Sequence, residues 1–184
     1  MKLKKYEFKS DPYQHQLDTL KSSAHRNLFA LFLEMGLGKS KILLDNAGML
    51  FEEGKISGLL IVSPKGNLSN WDSNEISKHL PERIKRNVLV WQPNHTQRWT
   101  KAFKDMVQKD STGTLNILLV NVEAFATVKA CTHVEEFLVT HDAMMAIDES
   151  TTIKNPKAKR TKHLIKLAPL ADYRRILTGF PITK

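Results

Sequence analysis

The order of apolar and polar residues along this chain switches repeatedly between two rhythms. Short, almost wholly apolar runs at Leu28–Leu33, Leu59–Ser63, Val88–Trp91, Leu115–Val120, Met144–Ile147 and Arg175–Thr178 have the length and character of strands buried on both faces. Between them, apolar residues return every three or four positions, as helices require, over Tyr13–Lys21, Lys39–Glu53, Leu68–His79, Gln97–Lys109, Ala124–Val139 and Lys159–Leu167. This alternation predicts an α/β fold with a mostly parallel central sheet covered by helices on both faces. No repeat, low-complexity tract or Pro/Gly-rich linker divides the chain, so residues 1–184 are expected to form one domain. In such sheets ligands gather beyond the carboxyl ends of the strands. The loop at Gly36, Ser63-Pro64-Lys65, Asn121, Asp148-Glu149 and Thr178-Gly179 are all expected at that edge.

Two of these segments carry chemistry. Glu34-Met35-Gly36-Leu37-Gly38-Lys39-Ser40 lies between a predicted strand and a predicted helix. It fits the P-loop pattern Gly-x-x-x-x-Gly-Lys-Ser/Thr except that Leu33 takes the first glycine's place. Gly36 and Gly38 permit backbone conformations closed to other residues, so the N–H groups from Met35 through Gly38 can turn inward on an anion. The helix that follows would present its N-terminal dipole to the same phosphates. Lys39 would place its ammonium on the β- and γ-phosphates, and the Ser40 hydroxyl would ligate Mg²⁺. The second segment, Met144-Met145-Ala146-Ile147-Asp148-Glu149, brings a carboxylate pair out of a buried strand, where a nucleotide-bound metal would need one. The pair of motifs indicates an ATPase.

Charge adds a second ligand class. Twenty-eight Lys and Arg against 19 Asp and Glu give +9, and eight of those cations (Lys154, Lys157, Lys159, Arg160, Lys162, Lys166, Arg174 and Arg175) lie between residues 154 and 175 with one acid, Asp172. Such a cluster is the footprint of nucleic-acid backbone contact. With a single cysteine, Cys131, no intrachain disulfide and no four-cysteine zinc site is possible, and that residue is expected in the core. The N-terminus has no apolar h-region and no stretch approaches 18 apolar residues, so neither a secretory signal nor a membrane partner is expected, and the cytoplasm is the expected location. The seven histidines show no metal-ligand spacing; His15, His79 and His141 read as surface or helix-end residues. Trp71 and Trp91, in apolar patterns, read as core packing.

The order of motifs resembles the Swi/Snf-type DNA translocases of helicase superfamily two. Glu34–Ser40 is similar to their first motif, Asp-Glu-Met-Gly-Leu-Gly-Lys-Thr. Leu59-Leu60-Ile61-Val62-Ser63-Pro64-Lys65 with Trp71 and Glu75 resembles the next, and Asn121–Phe125 sits where their following DNA-side motif lies. Asp148-Glu149-Ser150 through Ile153-Lys154-Asn155 resembles their Asp-Glu-x-x box, and Leu177-Thr178-Gly179-Phe180-Pro181-Ile182 their Leu-Thr-Gly-Thr-Pro-Ile. Pro12-Tyr13-x-His15-Gln16, with Asp-Glu-Ser and Ile-Lys-Asn, is most similar to phage-encoded members.

The resemblance implies a RecA-like ATP-binding lobe with ATP and Mg²⁺ as cofactors and DNA, duplex in preference to single strand, as partner. Lys39, Asp148 and Glu149 would be catalytic: Asp148, with Ser40, on the metal and Glu149 on the attacking water. Gln16 would read the adenine edge, with Gln14 the rival, and Tyr6 or Phe8 are candidates to stack on the base. Lys65, the N–H groups of Gly66 and Asn67, and Lys154 would meet DNA phosphates, while Thr178 and Gly179 would couple the nucleotide to the DNA side. A second RecA-like lobe, source of arginine fingers in this family, does not fit in the residues present and is expected in cis or in trans. Two alternatives stand beside this reading. One is a stand-alone nucleotide- or DNA-binding module that modulates a full-length motor, distinguishable by the sequence downstream of Lys184. The other is a small-molecule kinase, for which the basic segment after Asp148 is a poor lid.

Overall fold

A computed structural model describes residues 6–108 and 113–179. Its elements alternate as the apolar rhythm requires: α1 (Gln14–Ser23), β1 (Leu28–Phe32), α2 (Lys39–Glu52), β2 (Gly58–Ser63), α3 (Lys65–Asn70), a π-helical turn (Trp71–Glu75), α4 (Ile76–His79), β3 (Arg86–Val90), α5 (Gln97–Val107), β4 (Leu115–Asn121), α6 (Val128–Thr140), β5 (Ala143–Asp148), α7 (Lys159–Leu167) and β6 (Tyr173–Thr178). The strands form one parallel sheet in the order β1-β6-β5-β2-β4-β3.

Side chains alternate across each strand, and both faces are used. Leu59 and Ile61 of β2, Ile117 and Leu119 of β4 and Met144 of β5 pack with Leu43, Leu44 and Leu50 of α2 and Leu68 and Ile76 of α3 and α4. Their neighbours Leu60, Val62, Leu118, Val120 and Met145 pack on the other face with Trp99 and Phe103 of α5, Val134 and Phe137 of α6, and Leu164 and Leu167 of α7. That double cover is why the strands read as unbroken apolar runs. The exception is the β1/β6 end, where Leu28, Phe32 and Ile176 are exposed on one face. Thr96 and Thr127 cap α5 and α6 through their hydroxyls, which accept from the Trp99 and Ala130 N–H groups at 3.1 and 3.4 Å.

The structure corrects several sequence expectations. The helix expected from Leu68 to His79 begins at Lys65 and is interrupted by the π turn, and the one expected from Ala124 begins at Val128 after a 3₁₀ turn over Val122–Ala126. Lys109 and the Phe180-Pro181-Ile182 part of the last motif lie outside the described residues. Cys131 is only half-buried, at the margin of the core. His79 and His141 stand at helix ends, as expected, but their side chains are buried. The His141 ring is held at both nitrogens, Nδ1 at 2.8 Å from the Phe137 carbonyl oxygen and Nε2 at 3.0 Å from Asn116 Nδ2. Asn116 is held in turn by Asn87 at 3.2 Å.

Burial lowers the pKa of His141, and of His79, from the ordinary 6.5. The unfolded chain therefore takes up protons before the native state does, and stability is lost as pH falls below about 6.5. Asp45, whose pKa burial raises to about 6, works in the opposite sense over the same range, so the comparison is between proteins: from pH 7.5 to 5.5 the thermal midpoint of the wild type should fall relative to that of His141→Gln. An unchanged difference would mean that His141 does not carry this sensitivity.

Candidate functional site

The strand register places the chemistry-bearing loops side by side. Phe32, the last residue of β1, is level with Thr178 of β6; Leu177 is level with Asp148 of β5; Ser63 of β2 is level with Asn121 of β4. β1 and β5 flank β6, so the loop after Phe32 and the Asp148 carboxylate emerge two strand spacings apart, roughly 10 Å. Gly179 closes part of that gap. A methyl group on it would stand 3.7 Å from both the Leu33 carbonyl oxygen and the Met35 nitrogen, so β6 ends against the start of the loop.

In the loop itself, Gly36 and Gly38 both adopt left-handed backbone, with φ of 82° and 81°. Gly38 is the N-cap of α2 and has no side chain to cap it, so the first-turn N–H groups of this 14-residue helix have no intrahelical partner and face the loop. Lys39 is folded back into the same loop, its ammonium donating to the carbonyls of Leu33 at 2.9 Å and Glu34 at 3.2 Å. Together these features make a concave, positively biased backbone cradle.

A cleft of about 600 Å³ opens beside the cradle, lined by Gly36, Gly38, Lys39, Ser40, Gln16, Tyr13, Ser10 and, on its far wall, Glu75, Lys78 and His79. Gln16 is buried and braces two segments: its Nε2 donates to the Leu37 carbonyl at 3.2 Å, and its Oε1 accepts from the Tyr13 N–H at 3.0 Å. Gln14 is exposed and donates to Asp18 on the helix surface. Of the two glutamines, only Gln16 lines the cleft. Tyr6 and Phe8, the expected base-stacking candidates, point elsewhere. Tyr6 is in the core and Phe8 packs edge-on against it, with the Lys41 ammonium over the Phe8 ring. Tyr13, 73% exposed, is the aromatic side chain of the cleft.

Sequence reasoning also missed Lys41. Its buried ammonium donates to the Ser10 carbonyl at 2.8 Å and to Asp45 Oδ2 at 2.9 Å, tying the segment that borders the cleft to α2. Burial raises the Asp45 pKa from 3.8 to about 6 against the pull of Lys41. A lysine and an aspartate at i and i+4 inside an otherwise apolar helix were the available signal.

The acidic pair is asymmetric. Asp148 accepts three hydrogen bonds, two on Oδ2 from Ser63 Oγ and Trp71 Nε1 and one on Oδ1 from the Glu149 N–H, each at 3.0 Å. Glu149 is the one non-glycine with positive φ (48°) among the described residues, and its carboxylate has no hydrogen-bond or ion-pair partner among them. Left-handed backbone at a glutamate costs on the order of 1–3 kcal/mol, and such strain clusters at functional sites.

The basic residues divide. Lys65 and Lys154 are exposed after β2 and β5, as is Lys157 just before α7, and Lys159, Lys162 and Lys166 lie on the outer face of α7, whose Thr161, Leu164 and Leu167 are buried. Arg175 does not belong with them. Its guanidinium is buried in the core, donating to Asn46 Oδ1 at 3.1 Å and to the carbonyls of Ser23 and Arg174 at 3.0 Å, and burial lowers its pKa to about 10. The Asn67 N–H is already spent on the Pro64 carbonyl at 2.9 Å, which leaves its exposed side chain for any ligand. Among the described residues no group of three or more His, Cys, Asp and Glu could hold a metal, and no helix is long and apolar enough to cross a membrane.

A parallel sheet with a glycine loop opening a helix at its carboxyl edge, and an Asp-Glu pair two strands away, defines a RecA-like P-loop domain. Residues 15–184 match the SNF2-related domain, and the chain belongs to that family. It is 27% identical over 150 residues to the ATP-dependent helicase fft3 of Schizosaccharomyces pombe and 28% identical over 152 residues to the chromatin-remodeling ATPase INO80 of Lodderomyces elongisporus. Each match covers 81% of this chain, which spans 15% and 9% of those relatives. Among solved structures, the SWI2/SNF2 ATPase core of Sulfolobus solfataricus in complex with dsDNA superposes with a TM-score of 0.74 at 23% identity, over 98% of this chain and 35% of that one. The UvsW helicase of bacteriophage T4 gives 0.66 at 15% identity, over 96% and 57%. These likenesses establish the fold.

The loop makes a specific demand on its glycines. A methyl group on Gly38 would lie 2.3 Å from Gln16 Nε2, whereas one on Gly36 would meet nothing within 4 Å. Gly36→Ala should therefore cost only the backbone term, about 1–2 kcal/mol, and Gly38→Ala more, because it also displaces Gln16. Thermal unfolding of the two variants checks this; equal midpoints would show that Gln16 is not held against the loop.

Proposed function

We propose that this chain is the ATP-binding lobe of an ATP-dependent DNA translocase or helicase. The observation that carries the proposal is the joint placement, at one sheet edge, of an uncapped helix N-terminus with two left-handed glycines and of a carboxylate fixed by three donors. The family match and the helicase and remodelling relatives support the same reading.

The residues present fit ATP and Mg²⁺. The cradle from Met35 to Ser40 would hold the phosphates, with Lys39 exchanging its two loop carbonyls for phosphate oxygens. Gln16 and Tyr13 border the place where the base would lie, Gln16 reading its edge. Ser40 and Asp148 would hold Mg²⁺, which characteristically takes one or two protein ligands and completes its shell with phosphates and water. When bound, the ion would supply charge neutralisation between phosphates. Glu149, with its carboxylate free of internal partners, is positioned to orient and deprotonate a water. Gly179, against the loop at Leu33 and Met35, and Thr178, level with Phe32, would pass the state of the nucleotide along β6.

DNA is the proposed polymer partner. An SWI2/SNF2 core of this fold was solved with dsDNA, and Lys65, Asn67 and Lys154 are exposed beside the proposed nucleotide site. No described element here presents a base-reading helix, so recognition would be of the backbone. A second RecA-like lobe, in cis or trans, would complete the phosphate contacts and supply the arginines needed for efficient turnover; without it the lobe should hydrolyse slowly.

Two outcomes test this reading. Calorimetric titration should give ATP·Mg²⁺ a dissociation constant nearer millimolar than nanomolar, about −4 to −6 kcal/mol, and Lys39→Ala should abolish the heat; equal binding by both proteins would contradict the role of Lys39. Fluorescence anisotropy with duplex DNA should show affinity falling with salt at a log–log slope of about −0.9 per neutralised phosphate, for roughly two to four contacts. Lys65→Ala with Lys154→Ala should flatten that slope, and a slope that is flat in the wild type would assign the positive charge to solubility.

A further inference from the structure

Resting on the nucleotide reading above, we propose that Trp71 and Ser63 are positioning residues for the metal-side carboxylate: their side chains fill Asp148 Oδ2, so that Asp148 meets a metal ion or its bound water through Oδ1 alone.

A carboxylate has about four lone-pair sites, two per oxygen. Ser63 Oγ and Trp71 Nε1 each donate to Oδ2 at 3.0 Å and occupy both of its sites. The Glu149 N–H takes one site on Oδ1. One site is left, on Oδ1. Bidentate metal binding, or a rotated carboxylate, would break at least one bond to a buried donor, and a buried donor left unpaired costs about 1–3 kcal/mol. The donors are themselves immobile: Ser63 is buried at the end of β2, and Trp71 is 2% exposed in the core between α3 and the sheet.

Trp71 does more here than fill space. The other two indoles are used differently: Trp99 Nε1 donates to the Val90 carbonyl at 2.8 Å, and Trp91 Nε1 has no partner among the described residues. Trp71 alone of the three aims its N–H at a carboxylate. It opens the π turn, in which the Ile76 N–H reaches back to the Trp71 carbonyl. Such a turn carries one residue more than an α-helix and offsets the two flanking segments by roughly 100°. The sequence can thereby direct Trp71 at Asp148 while Ile76 still packs into the core. π turns of this kind are frequent at functional sites.

The test is the Mg²⁺ dependence of nucleotide binding, read by calorimetry with ADP at increasing Mg²⁺ on wild type, Trp71→Phe, Ser63→Ala and Asp148→Asn, with thermal unfolding of each without ligand. Trp71→Phe keeps an aromatic ring in the core and removes the N–H. The expected result is a rise of at least tenfold in the Mg²⁺ concentration for half-maximal effect in Trp71→Phe and in Ser63→Ala, the size typical when a partner of a metal-binding group is lost. ADP binding without metal should stay within twofold of wild type. A Mg²⁺ midpoint that moves in Asp148→Asn but not in Trp71→Phe or Ser63→Ala would overturn the positioning role while leaving the nucleotide reading intact. Equal loss of metal-free and metal-dependent binding would also overturn it, since Trp71 would then be supporting the fold only. Wild-type binding indifferent to Mg²⁺, or to Asp148→Asn, would overturn the nucleotide reading and this inference with it.

Discussion

The pairing of β6 between β1 and β5 is the constraint on which the site depends. Its register levels Phe32 with Thr178 and Asp148 with Leu177, and so decides how far the glycine loop stands from the acidic pair. A slip of one residue would move Asp148 by about 3.3 Å along the strand. It would also turn Leu177 out of the core and Ile176 in, exchanging the two faces. Burial of Leu31 and Leu177 on one face of the sheet opposes that slip. The polar contacts at the strand ends depend on the same alignment: Ser63 reaches Asp148 only because β2 and β5 end level.

Arg175 adds a second lock from inside the core. Its guanidinium joins α2 through Asn46, the end of α1 through the Ser23 carbonyl, and the turn before β1 through the Asn27 carbonyl at 3.4 Å. A buried cation with neutral acceptors is costly to place, and breaking one of its contacts leaves the charge uncompensated. The residue therefore specifies how α1 and α2 sit on β6. Gln16 and Gly38, at the ends of those helices nearest the ligand edge, inherit that alignment.

Much of this was legible in the sequence because the physics is local. The six strands and the alternation of helices follow from apolar runs, covered on both faces except at the β1/β6 end, and the glycine loop and Asp148-Glu149 announce themselves by residue type. What was not legible depends on contacts between distant segments. Trp71 and Asp148 are 77 positions apart, and no periodicity in either segment says that an indole N–H will meet a carboxylate. The π turn that aims Trp71 is one residue out of helical phase, too small a shift for an apolar pattern to reveal. Arg175 was misread for a related reason. In a run of cations its charge suggested the surface, whereas its place in an alternating strand, next to exposed Ile176 and in phase with buried Leu177, put it inside. The helix-end positions of His79 and His141 were legible but their burial was not, because a polar side chain there looks exposed until its partners, such as Asn116 for His141, are known.

The central claim is that the loop from Met35 to Ser40 and the Asp148 carboxylate form one nucleotide site. A crystal structure of the protein with a non-hydrolysable ATP analogue and Mg²⁺ tests it most directly. The account predicts phosphates against the N–H groups of Met35 through Ser40, the Lys39 ammonium released from the Leu33 and Glu34 carbonyls, and the ion between Ser40 and Oδ1 of Asp148. Nucleotide bound elsewhere, or bound here with Lys39 still on those carbonyls, would contradict it.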